Sequence, residues 1–220
     1  MRRATLLLAA LLACVPLSAA SRVHTVTLGK AIPVKLPVGP SEDKTLDIAV
    51  RPLIVDGQLK DYTTGESHDV TDREFVVRRA YRINDSLSEE AHKAPKWLWQ
   101  RGGWLLVDRK SGKATLLKLP DFDPLYSQVS WYRDYAAYCG ITSSGDKVSA
   151  IVAEIGGKKP LFHKDLGKNP TGDSPDGNCA APVWARQPAR VTFVPTGGEK
   201  FTIGISGRFA DEMPDNDPDD

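Results

Sequence analysis

From residue 23 almost to its end, the chain alternates short runs rich in Val, Ile, Leu, Thr and aromatic residues with clusters of Gly, Pro, Ser, Asp and Lys. Several runs place an apolar residue at every second position, the spacing that turns one face of a strand toward a core. Strands are therefore expected at 23–29, 31–37, 45–55, 73–83, 103–109, 114–120, 135–141, 148–155, 160–166, 189–195 and 200–206. The joints "RKSGK", "TSSGDK", "IGGKK" and "PTGGEK" are Gly-centred and of hairpin length. One segment, "SLSEEAHK" (86–93), reads as a helix, with Ser86 or Ser88 as its cap and Glu89 and Glu90 in the first turn. Pro95 limits it to about two turns. The expected class is all-β, an antiparallel meander of short strands.

Two stretches repeat. "WYRDYAAYCGITSSGDKVSA" (131–150) aligns without gaps on "WARQPARVTFVPTGGEKFTI" (184–203), pairing Trp131 with Trp184, Arg133 with Arg186, Gly145 with Gly198 and Lys147 with Lys200. A weaker match sets 104–119 on 149–164. Meanders repeating at about 40–50 residues are the pattern of propeller blades. "VSWYRDYAAYCGI" resembles the first hairpin of a blade in TolB-like and WD40-like propellers, where a Trp precedes a turn and an apolar strand. Blades usually carry Asp-Gly in that turn, and this chain has Arg133-Asp134-Tyr135, so no family is assigned. The resemblance implies propeller-blade-like repeats, with room for about four blades; a two-sheet β-sandwich is the alternative. On the repeat, Trp131 and Trp184 are equivalent packing residues, and Arg133 and Arg186 sit in the turns entering each strand.

The start of the chain changes the charge. Arg2 and Arg3, an apolar run from Ala4 to about Pro16 and the small residues Ser18-Ala19-Ala20 have the layout of a secretory signal peptide, expected to span 1–20 and leave Ser21 first. "LLAC" (11–14) resembles a bacterial lipobox, and the alternative is a lipoprotein anchored at Cys14. Either way the protein is expected outside the cytosol, periplasmic or secreted, and bacterial. Loss of the two arginines leaves 27 Lys and Arg against 28 Asp and Glu, a nearly neutral domain with no basic field for nucleic acid. One all-β domain at 21–210 and an acidic disordered tail at 211–220 are expected. Cys139 and Cys179 then remain as an even pair in an oxidising compartment, and a disulfide between them is expected.

Candidate chemistry is sparse. His68, Asp69, Asp72 and Glu74 offer metal-binding groups without a metal spacing, as do Asp173, Asp176 and Asn178. Ser41-x-x-Lys44 and Ser144-x-x-Lys147 lack the companion motifs of acyl-enzymes. "FVVRRAYR" puts Arg78 and Arg82 on one face of a strand and Arg79 on the other, a basic ridge for an anion or the exposed face of a sheet. The densest feature is "KAPKWLWQRGGW": Trp97, Trp99 and Trp104, with Arg101 and nearby Tyr126, are the aromatics expected to be partly exposed, forming a sugar-stacking ligand site. Neither catalytic residues, nor a metal, nor a cofactor is assigned. The function expected is non-catalytic binding of a protein or glycan of the cell envelope or the extracellular space. The alternatives are an extracytoplasmic hydrolase using loop acids such as Asp121, Asp123 and Asp134, and a lipid-anchored envelope subunit or inhibitor.

Overall fold

The computed structural model describes residues 23–37, 45–90, 92–124, 127–142, 144–169 and 179–213. The signal segment, Cys14, Ser41–Lys44, Tyr126, Asp173, Asp176, Asn178 and 214–220 lie outside them. Among the described residues the chain is all-β and antiparallel, in three sheets. The first holds β1 (Val26–Leu28), β2 (Ile32–Pro37), β3 (Thr45–Val55), β4 (Gln58–Asp69), β5 (Glu74–Asn84), β6 (Trp97–Asp108) and β7 (Ala114–Leu117), ordered β1-β3-β4-β5-β6-β7 with β2 also on β3. The second holds β8 (Ser130–Tyr132), β9 (Tyr135–Ile141), β10 (Lys147–Glu154) and β11 (Phe162–Lys168) in sequence order. The third holds β12 (Val183–Arg186), β13 (Ala189–Phe193), β14 (Phe201–Ser206) and β15 (Phe209–Glu212), again in sequence order.

The expected helix at 86–93 is replaced by a 3-10 turn at Ser88–Glu90. A segment this short, closed by Pro95, gains too few hydrogen bonds to offset helix nucleation. β15 pairs with β14 as far as Glu212, opposite Ile203.

The sheets stack. Ala137, Cys139, Val148, Ala150 and Val152 of the second sheet pack against Val191, Phe193, Phe201 and Ile203 of the third. The opposite face of the second sheet, Ala136, Tyr138, Ile151 and Ala153, gathers Leu119, Phe122, Val129 and Trp131 on its way to the first sheet. Burial on both faces explains why 135–141 and 148–153 read as nearly continuous apolar runs. A separate core of Leu53, Phe75, Val77, Leu105 and Val107 lies on the far face of the first sheet.

The repeat corresponds to two four-stranded meanders, 130–168 and 183–212. Trp131 of β8 and Trp184 of β12 each turn toward the preceding sheet. Trp131 meets Trp104 of the first sheet edge-on at 5.0 Å. The Trp184 indole N–H donates to the Ser130 carbonyl of the second at 3.1 Å. The hairpin turns are one residue out of step, because Arg133-Asp134 forms one and Gln187-Pro188 the other. Arg133 therefore lies in its turn as expected, whereas Arg186 ends its strand. The architecture is a stack of three sheets, one more than a two-sheet sandwich and short of the four blades the length would allow.

Cys139 and Cys179 form the expected disulfide, with Cα atoms 5.9 Å apart across a sequence separation of 40. It joins the second sheet to the edge of the third, where Cys179 bridges Pro195. Replacing both cysteines by Ala is expected to lower unfolding free energy by about 3–4 kcal/mol, chiefly by freeing the unfolded chain. Urea titrations of the variant and parent check this.

Candidate functional site

The tryptophan-rich segment is the N-terminal half of β6, paired with β5. Cross-strand partners share a face, and the pairs here are Asn84–Trp97, Arg82–Trp99, Ala80–Arg101 and Arg78–Trp104. Simple alternation would send Trp104 to the face opposite Trp97, Trp99 and Arg101. The register shifts between Arg78 and Ala80, where Gly102 and Gly103 together oppose Arg79. This bulge returns Trp104 to the same face. A Cβ on Gly102 would lie 3.2 Å from the Arg79 Cβ, so a larger residue fits poorly there. One face of the first sheet thus carries a row from Trp97 through Trp99 and Arg101 to Trp104.

The two ends of the row differ. Trp97 is 53% exposed. The Arg82 guanidinium lies 5.5 Å from the Trp97 ring centre and 5.4 Å from that of Trp99. Tyr62 of β4 meets Trp99 edge-on at 5.2 Å and fixes its orientation. This end is an open aromatic and cationic surface. Trp104, in contrast, is 3% exposed. The expectation that it is exposed is corrected here: the second sheet covers it through Trp131, which contributes packing rather than ligand contact. Arg101 stands between, half-buried, next to Ala80 and Arg78.

Arg78 is also corrected. It does not line an exposed ridge but lies buried at the seam, donating to the Pro124 carbonyl at 2.6 Å and flanked by the rings of Trp104 and Phe122. Burial lowers its pKa, with Arg101 adding to the effect and Glu66, at 3.8 Å, opposing it. Arg79 turns to Asp61 at 2.8 Å and to the Tyr81 ring. Of the three arginines, Arg82 alone joins the exposed tryptophans.

The other candidates disperse. His68 engages the Arg133 carbonyl, while Asp69 pairs with Arg109. Among the described residues no three His, Cys, Asp or Glu side chains converge as a metal site would require. Ser144 and Thr142 hydrogen-bond Asp146 within the β9–β10 turn and hold its carboxyl below the usual range. Asp121 and Asp123 line one cleft of about 500 Å³ with Thr142 and Ser144. Asp134 sits at the opposite end of β9, whose far end meets the Asp121 carbonyl through Ile141. Seven residues of strand, roughly 20 Å, separate it from that cleft.

The asymmetry of the row has a direct readout. Trp104→Ala is expected to cost about 3–5 kcal/mol of stability, and Trp97→Ala less than about 1 kcal/mol, both measured by chemical denaturation. Comparison with known proteins gives no match: no family, no characterised sequence and no solved structure is significantly similar to this chain.

Proposed function

We propose that the protein is an exported, non-catalytic β-protein that binds a glycan of the cell envelope or extracellular space on the Trp97–Trp99–Arg82 face. The disulfide points to an oxidising, extracytoplasmic location. The observation that carries the reading is the pair of indoles flanking one guanidinium on an open sheet face. Flat rings stack on the C–H faces of sugars, and an arginine beside them supplies forked donors for hydroxyl or carboxylate groups. Trp99 is braced by Tyr62, so this part of the surface is formed before a ligand arrives, and little ordering entropy is lost on binding. The hydrolase alternative has less support, since Asp134 stands apart from Asp121 and Asp123.

A glycan array probed with the parent and with a Trp97→Ala/Trp99→Ala variant tests the reading. The variant is expected to lose binding by more than about tenfold, while its melting temperature falls by no more than about 4 °C. Equal binding by both proteins contradicts the reading. So does a steep melting drop that accounts for the loss. Capture of a protein by the same face in place of a glycan would replace the proposed ligand.

A further inference from the structure

The three sheets bring their turns together at one place. A cleft of about 460 Å³ is lined by His68, Asp69 and Val70 from the first sheet, Tyr132 and Arg133 from the second, and Arg186 and Gln187 around the first turn of the third. The sheets are tied to one another around this cleft through the backbones of its two arginines. The His68 imidazole Nε2–H donates to the Arg133 carbonyl at 2.8 Å. The Tyr132 hydroxyl reaches the Arg186 carbonyl at 3.5 Å. His68 is itself stacked on Trp131, with 13° between the ring planes.

The charges are arranged for an anion. Asp69, the acid in the lining, is already engaged by Arg109. Arg133 and Arg186 have no carboxylate partner among the described residues, and the Arg133 guanidinium lies over the Tyr132 ring at 5.3 Å. Arg133 also holds a backbone φ of 53°, a left-handed conformation that favours Gly or Asn and strains a long side chain. A turn built for stability alone would place Gly there. Strain of this kind persists where the side chain has a task.

We infer that this cleft is an oxyanion site, in which Arg133 and Arg186 grip a carboxylate or phosphate group of a small ligand by forked, charge-assisted hydrogen bonds. The Gln187 amide adds a further donor at the rim. Because the two arginines come from different sheets, an anion bridging them also locks the second sheet to the third. The site is separate from the tryptophan face and stands whether or not that face binds a glycan.

Calorimetric titration of the full mature chain at low ionic strength, with inorganic phosphate and separately with glucuronate, tests the inference. Binding of at least one of them with a dissociation constant below about 10 mM is expected. Phosphate alone would identify a phosphate site, and glucuronate alone a carboxylate site. The decisive variant is Arg133→Gly, which removes the guanidinium while suiting the backbone. It is expected to melt at or above the parent temperature and to bind the anion at least about tenfold more weakly. Arg186→Gln is expected to weaken binding similarly. Lys200→Gln, immediately before β14 at the end of the third sheet away from this turn, removes the same charge and is expected to leave binding unchanged. Failure of both anions to bind overturns the inference. So does equal weakening by Lys200→Gln, which would mean a diffuse charge effect, or a lower melting temperature for Arg133→Gly with undiminished binding.

Discussion

The edge-to-face contact between Trp104 and Trp131 is the joint on which the arrangement of the sheets depends. Each indole belongs to a different sheet, and each is oriented by its own strand pairing, Trp104 opposite Arg78 and Trp131 opposite Ala136. Aromatic pairs in this geometry contribute beyond the area they bury. Their position also decides what lies beside them. Arg78 is dehydrated because the segment leading into the second sheet, with Phe122 and Pro124, closes over it, and its guanidinium is accommodated by two aromatic faces and one carbonyl. At the next seam the same solution recurs, with the Trp184 indole donating to the Ser130 carbonyl.

The first joint leaves one part of the first sheet uncovered. The row of Trp97, Trp99, Arg101 and Trp104 is a single stripe made continuous by the Gly102–Gly103 bulge. The second sheet occupies its Trp104 end. At the Trp97 end, Arg82 and Tyr62 complete an open surface instead of a core. Chemically similar residues a few positions apart thus end in a core and on an open surface, and the difference is which of them another sheet reaches. The turn that carries Arg133 and the turn that follows Arg186 come together for the same reason: once the first strands of successive meanders dock on the sheets before them, the loops that follow those strands converge.

Much of the fold is legible in the residue pattern. Strands with two buried faces, such as β9 and β10, announce themselves by apolar content, and the even pair left once Cys14 is set aside points to the disulfide. The Trp131–Trp184 repeat gives the two meanders. β4 escapes notice because Thr63 is its sole buried residue, so its twelve residues show no alternation. The signal was present in Asp56-Gly57, a turn in which both residues hold positive φ and which joins β3 to β4. The tryptophan row illustrates a different limit. Period-two counting across "QRGGW" assigns Trp104 to the wrong face, since a bulge is a tertiary fit between two strands that neither sequence states alone. Burial of Trp104 and Arg78 was equally hidden, because it depends on Trp131 for the one and on Phe122 and Pro124 for the other, each more than twenty residues later in the chain.

A double-mutant cycle between Trp104→Leu and Trp131→Leu, with unfolding free energies from urea titration, tests the account most directly. The docking of the second sheet on the first through these rings predicts a coupling of at least about 1 kcal/mol. Effects that add to within about 0.3 kcal/mol would mean that the two rings stabilise their own sheets separately, and would contradict it.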